Sequence, residues 1–408
     1  MILYNFLRML LHIPIRIMML FSSKKSEFLK KRLIQNFDFL KSEKSYIWLH
    51  CSSVGEINLS DALIKKLLER EENILISVFT DTGYATALKK YSDEKKIKLI
   101  YFPLDSKKEI NKILSNINLK LLILIETEIW PNLIDLVFKK KAKIILVNGR
   151  ISDRSFDKYL KFKNLLKESL DRIDKFYMQT QLDEKRIIAV GAEKDKTKVV
   201  GNLKFDIELT NYSFAEKEEL KKIIKLNGRK LFVAGSTRTG EDEIILETFK
   251  KLENYLLILV PRHLERIPKI EKLLKEEKID YSKYSDLLEK KIPESSVIIV
   301  DIMGALRKFY AISDVAFVGG TLVNIGGHSL LEPLFYRKSP IFGKYLQNVK
   351  DISDEILRRG IGYKVLDADD MFLAIQKISS SEINEKEIDN FFLENSKVAD
   401  KILEDLNY

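Results

Sequence analysis

One cysteine, Cys51, stands in 408 residues, which excludes an intramolecular disulfide and any thiolate-built metal cluster. The pattern fits a reducing compartment, and Cys51 itself reads as a small, semi-buried residue beside a strand end. Histidine is equally sparse. His12, His50, His263 and His328 are scattered without paired ligand spacing, so neither a metal nor another cofactor is expected. No Ser–His–Asp arrangement can be supported from the spacing. Only 16 Gly and 8 Pro are present, too few for long flexible linkers. Charge of neither sign dominates: 70 Lys and Arg against 60 Asp and Glu leave +10. Such an excess suits anionic lipid headgroups, phosphorylated substrates or nucleic acid. The basic residues are mixed with acids and lack an aromatic-plus-basic module, which argues against nucleic acid.

Also missing is a clean membrane-spanning run. Met1–Phe21 is strongly apolar but interrupted by Arg8, His12, Pro14 and Arg16, and arginines inside a bilayer are costly. No small-residue cleavage site follows it, as a secretory signal requires. The segment 1–25 therefore reads as a monotopic anchor, with apolar side chains dipping into the bilayer. Arg8, Arg16, Lys24 and Lys25 would then meet anionic headgroups. The alternative is an apolar helix packed on the first domain.

What is abundant is βα alternation. The length implies two or three domains. Candidate strands are Tyr46–His50, Ile74–Phe79, Ile97–Phe102, Leu121–Ile125, Lys143–Val147 and Lys175–Met178. Their near-continuous Ile, Leu and Val suggest a parallel sheet covered on both faces. After a charged helical connection at 207–229, a second series runs through Leu231–Ala234, Leu256–Val260, Val297–Val300, Val315–Val318 and Pro340–Phe342. The expected fold is α/β, two doubly wound Rossmann-like domains at 26–206 and 230–381 facing across a cleft. Residues 382–408 are expected to be helical and to pack back on the first domain.

In such sheets the ligand meets the turns beyond the carboxyl ends of the strands. Cys51-Ser52-Ser53-Val54-Gly55-Glu56 places Glu56 in the first turn of a helix, whose dipole favours the ionised form a general base needs. A plain first-turn acid has the same appearance. Glu126-Thr127-Glu128-Ile129-Trp130-Pro131-Asn132 sets two carboxylates at a strand end, with Pro131 at or near a helix start. Asn148-Gly149-Arg150 adds a cation to that rim, and Lys204 lies where the first domain ends. In the second domain, Gly235-Ser236-Thr237-Arg238-Thr239-Gly240 before Glu241 reads as an anion site without the Walker ending. Pro261-Arg262-His263, Asp301-Ile302-Met303-Gly304, Gly319-Gly320-Thr321 and Gly326-Gly327-His328-Ser329-Leu330-Leu331-Glu332 occupy later turns. Together they describe a nucleotide pocket in which an acid could hold ribose hydroxyls.

In five motifs, in family order, the chain resembles the bacterial 3-deoxy-D-manno-octulosonic acid (Kdo) transferases of lipopolysaccharide assembly. The motifs are Ser53–Glu56, Glu126–Asn132, Gly201–Asp206, Pro261–His263 and Gly326–His328. The resemblance implies a GT-B fold with an N-terminal acceptor-binding domain, a C-terminal CMP-sugar-binding domain and an N-terminal membrane anchor. It further implies CMP-Kdo as donor and lipid IV-A, the tetraacylated disaccharide precursor of lipid A, as acceptor, at the cytoplasmic face of the inner membrane. By the same resemblance Glu56 is the general base of an inverting, metal-independent transfer, and Glu126 and Lys204 assist in the transition state. CMP is held by Arg262, His263, Met303, Gly304, Ala305, Ser329, Leu330, Leu331 and Glu332. Three positions depart from the family pattern: Ala305 stands for Glu, Ser329-Leu330 for Asn-Pro, and Gly149 for Ala.

Two other readings fit the residues alone. One is a GT-B transferase or epimerase that uses a UDP-sugar. The other is a membrane-bound scaffold that binds nucleotide without turnover. For the anchor, deletion of residues 1–21 is expected to reduce vesicle co-sedimentation more than intrinsic activity in detergent. A truncated protein that sediments as well as the full chain overturns the anchor assignment.

Overall fold

The structure is a computed structural model that describes residues 4–5, 18, 24–206, 209–289, 294–380 and 384–407. Nearly all of the expected anchor therefore lies outside the described residues. No helix among those described is long and apolar enough to cross a membrane. The chain divides into two compact units, 1–208 with 395–408, and 209–394.

In the first unit seven strands form one sheet: β1 (Ser45–Cys51), β2 (Asn73–Val78), β3 (Ile97–Tyr101), β4 (Asn118–Ile125), β5 (Lys143–Gly149), β6 (Lys175–Met178) and β7 (Thr197–Val199). Their order is β3-β2-β1-β4-β5-β6-β7, with every pairing parallel. Successive side chains enter opposite apolar layers. Tyr46, Trp48, Leu122 and Leu124 pack on one face, and Ile47, Leu49, Leu121 and Ile123 on the other. Burial on both faces explains the unbroken aliphatic runs. Strand order reverses between β1 and β4, where the following turns diverge and leave room for a ligand.

The helical run after β1 is broken into Val54–Leu59 and Asp61–Glu69. At the break, the Ser60 hydroxyl donates to the Glu56 carbonyl at 2.7 Å, a local bond that competes with the helical ladder. The helix Lys24–Leu33 is fixed to the sheet by Arg32, which is fully buried. Its Nε donates to the Phe79 carbonyl at 2.9 Å, and one terminal nitrogen reaches Asp81 at 3.0 Å. The guanidinium lies 3.4 Å from the centre of the Phe28 ring. Burial of this charge is tolerated because its donors and its aromatic faces are matched.

The second unit repeats the plan with β8 (Lys230–Thr237), β9 (Tyr255–Pro261), β10 (Tyr281–Lys283), β11 (Val297–Ile299), β12 (Val315–Val318), β13 (Pro340–Phe342) and β14 (Tyr363–Lys364). The order is β10-β11-β9-β8-β12-β13-β14, again all parallel. Its reversal falls between β8 and β12.

The unit boundaries differ from those expected. Residues 209–229 are part of the second unit, because the helix Phe214–Ile223 buries Leu220 and is followed by buried Ile224. The tail 382–408 is divided rather than packed as one piece on the first unit. Residues up to 394 belong to the second unit, held where Arg359 pairs with Glu387 at 2.8 Å and Arg337 with Asp389 at 3.0 Å. The helix Val398–Asp405 belongs to the first. There Asp206 accepts the N–H groups of Val398 (3.0 Å) and Ala399 (2.6 Å), and Lys66 pairs with Asp400 at 2.7 Å.

Arg32→Ala is expected to destabilise the first unit by about 2–4 kcal/mol, the scale for breaking a buried charge network. Arg32→Lys should recover less than half of this, since an ammonium cannot reproduce the fork. Denaturant titration followed by far-UV circular dichroism checks both.

Candidate functional site

The turns after β1 and β4 bring three carboxylates to the reversal point of the first sheet. Ser53 caps the helix Val54–Leu59, accepting from the Glu56 backbone N–H at 3.4 Å. This capping turn is what folds the Glu56 side chain back over the strand end. Glu56 is only 7% exposed. One carboxylate oxygen accepts the Ser52 N–H at 2.6 Å and the other the Ser53 hydroxyl at 3.2 Å. Burial pushes its pKa up to about 8, and the neighbouring Glu126 and Glu128 carboxylates push the same way.

Glu126 leaves β4 with φ +58°, a left-handed conformation that costs a non-glycine residue energy. Its carboxyl is raised by burial and drawn back by Lys204 and Arg150. Lys204 sits in the tight turn Leu203–Asp206. That turn is fixed where Asn148, itself at φ +59°, accepts the Leu203 N–H at 2.9 Å. The structure thus places Glu56, Glu126 and Lys204 in one charged group, together with Glu128 and Arg150. Glu128 is held by the Trp130 indole N–H at 2.9 Å, and its carboxyl too is raised by burial. Pro131 is the first residue of the helix Pro131–Lys139. A site of this composition combines a carboxyl group of elevated pKa with two nearby cations.

The second unit contains a cavity of about 440 Å³ at the carboxyl ends of its strands. Of the residues expected to hold nucleotide, Arg262, Met303, Gly304, Ala305, Ser329 and Glu332 line it. His263 lies outside the lining, exposed beside Arg238. Leu330 and Leu331 do not reach the cavity either, since their side chains are buried in the core of the unit. Sequence reading missed Arg307, which lines the cavity and pairs with Glu332 at 3.2 Å. A regular position on the helix Leu306–Ile312 gave it no motif signal.

The expected anion site at Gly235–Gly240 is already filled by the chain itself. The Glu241 carboxylate, fully buried, accepts the backbone N–H groups of Arg238 (2.8 Å) and Gly320 (2.8 Å) with one oxygen. Its other oxygen accepts those of Thr321 (3.0 Å) and Leu322 (2.9 Å). This clamp joins the turns after β8 and β12, and Gly319 lets them meet: an added Cβ would lie 2.4 Å from the Ser236 carbonyl oxygen. Arg238 then donates to Nε2 of His328 at 3.2 Å. His328 lines the cavity, and burial together with the cations Arg238 and Arg262 lowers its pKa to about 4. It is therefore neutral at physiological pH. Among the described residues, no group of three or more His, Cys, Asp or Glu is assembled to hold a metal ion.

Residues 28–207 match the family model described as 3-deoxy-D-manno-octulosonic-acid transferase (kdotransferase). A bifunctional glycosyltransferase/methyltransferase of Fusobacterium nucleatum is 58% identical over 94% of this chain, and the match spans 60% of that relative's length. A 3-deoxy-D-manno-octulosonic acid transferase of Aquifex aeolicus is 34% identical over 87% of this chain and 94% of its own. Among solved structures, a glycosyltransferase from Rickettsia africae superposes with a TM-score of 0.57 at 15% identity, over 89% of this chain and 98% of that one. The UDP-GlcNAc 2-epimerase of Neisseria meningitidis gives 0.58 at 14%, over 89% and 99%. At these identities the two structures establish a shared two-domain, GT-B-type fold.

Replacing Glu241 by Gln is expected to lower the stability of the second unit by about 2–3 kcal/mol, because an amide nitrogen would face backbone donors that a carboxylate satisfies. Differential scanning calorimetry should show the loss as a lowered unfolding temperature.

Proposed function

This chain belongs to the 3-deoxy-D-manno-octulosonic acid transferase family, glycosyltransferases of lipopolysaccharide synthesis, and from that premise we propose that it transfers Kdo from CMP-Kdo to lipid IV-A with inversion. The observation that carries the reading is the Glu56 carboxylate, held at the exit of β1 with its pKa pushed up to about 8. A carboxylate this basic can take the proton of an acceptor hydroxyl as the oxygen attacks the anomeric carbon. The new bond forms from acceptor oxygen to anomeric carbon. The bond from that carbon to the phosphate oxygen breaks, and its electron pair leaves with CMP. CMP is a good leaving group, so cations and N–H donors suffice to absorb its charge.

Arg262 supplies one such cation at the cavity of the second unit. Glu332, oriented by Arg307, is the acid for ribose hydroxyls. In the first unit Lys204 and Arg150 offset the charge of Glu126 and suit a donor sugar that carries its own carboxylate. Glu126 and Lys204 are the groups assigned to assist in the transition state. The acceptor is a bisphosphorylated lipid, and residues 1–25 are assigned to hold the enzyme at the cytoplasmic face of the inner membrane.

Mass spectrometry of lipid IV-A incubated with CMP-Kdo is expected to show acceptor gaining one or more Kdo residues. Turnover with UDP-sugars alone defeats the donor assignment. Glu56→Gln should keep its fold and its affinity for CMP while transfer falls by about 10²-fold or more. In the wild-type enzyme kcat/KM should rise with pH through Glu56's pKa, because only the ionised carboxylate accepts a proton. Normal turnover by Glu56→Gln removes this residue from the mechanism.

A further inference from the structure

One buried polar atom in the first unit is aimed at the carboxylate group and has no hydrogen-bond partner. His50, at the end of β1, is fully buried, and its Nε2 is unsatisfied. That nitrogen lies 3.9 Å from the nearer oxygen of Glu128. On its other side, Nδ1 is 2.9 Å from the Ser77 hydroxyl, which also accepts the Trp48 indole N–H at 2.8 Å.

An indole nitrogen can only donate, so the Ser77 oxygen accepts from Trp48 and keeps one hydrogen to donate and a second lone pair to accept with. His50 Nδ1 can meet either, and in both tautomers the Nε2 edge of the ring faces Glu128. Burial lowers the pKa of His50 to about 3, so it is neutral and does not titrate with the site. Aromatic side chains pack around the arrangement. His50 packs against Phe102 with ring centres 4.2 Å apart, and Trp130 lies 4.7 Å from Phe102 and 5.9 Å from Phe79.

The Ser52 hydroxyl draws the burial-raised pKa of Glu128 back down, and the backbone N–H of the same Ser52 is bonded to Glu56 at 2.6 Å. We propose that Glu128 is the positioning residue for the base: fixed by Trp130 and faced by His50, it grips Ser52 and so aims the Glu56 carboxylate. This rests on the reading of Glu56 as general base. Glu128 also brings charge. The groups acting on Glu56 are Glu126 and Glu128 from the turn after β4, which raise its pKa, and the Ser52 N–H and Ser53 hydroxyl, which lower it. Lys204 and Arg150 act on Glu126, and Tyr159 faces Glu128. Within this set an ionised Glu128 makes Glu56 harder to ionise and hence a stronger base. Removing its charge lets Glu56 ionise at lower pH.

The test is the pH profile of kcat/KM for the full-length enzyme with CMP-Kdo and lipid IV-A, for wild type, Glu56→Gln and Glu128→Gln. The inference predicts that Glu128→Gln keeps its CMP affinity, loses about tenfold at the plateau, and has its acid limb displaced to lower pH. An acid limb and plateau that coincide with wild type overturn it. Folding of the variant is not the only support. In wild-type protein labelled with ¹⁵N-histidine, with His50→Asn for assignment, His50 should not titrate between about pH 5 and 9. A His50 that titrates across the acid limb takes that limb away from the Glu56–Glu128 pair and sinks the proposal. Full activity in Glu56→Gln instead strikes at the base itself and leaves the His50 result to be judged separately.

Discussion

Crowding of like charges in a desolvated strand end is the constraint on which the first unit is organised. Glu56, Glu126 and Glu128 cannot all carry a full charge cheaply in low dielectric. The fold offsets this with backbone N–H groups, hydroxyls and an indole N–H, and with Lys204 and Arg150 nearby. Every device that supplies those partners is a strand exit or a helix start. The Ser53 cap turns Glu56 inward, left-handed Glu126 and Asn148 redirect the chain, and Pro131 opens the next helix. The parallel sheet makes this possible because all its carboxyl ends point to one rim.

The second unit solves a different problem at the equivalent rim. Where many doubly wound proteins use a glycine turn and helix start to seat a ligand's phosphate, this chain places its own Glu241 carboxylate there. The turns after β8 and β12 are thereby locked together before any ligand arrives. Cationic side chains, Arg262 and Arg307 among them, line the neighbouring cavity instead. A rigid scaffold with side-chain recognition suits a ligand with a single phosphate better than one that must be wrapped by backbone.

The sheet cores and the carboxylate motifs were legible in the sequence because long aliphatic runs and acids at strand ends are strong local signals. What escaped was set by distant contacts. The edge strands β7, β10 and β14 are two or three residues long and mixed in polarity, with no periodicity to find. The division of the tail depends on Arg359 and Asp206, both remote in sequence from the helices they hold. Glu241 read as an ordinary helix-opening acid, since its four partners include three residues some 80 positions away. His50 read as one of four scattered histidines, because its orientation is decided by Ser77 on the adjacent strand.

The placement of Cys51 has a practical consequence. It ends β1 with no exposed surface, and burial raises its thiol well above the usual range, so it offers neither access nor thiolate to an alkylating reagent. The native chain therefore behaves toward maleimides as if it had no cysteine. Any thiol introduced on its surface becomes the single attachment point for a spectroscopic label, and a pair of them, one in each unit, makes a ruler for following the enzyme at work.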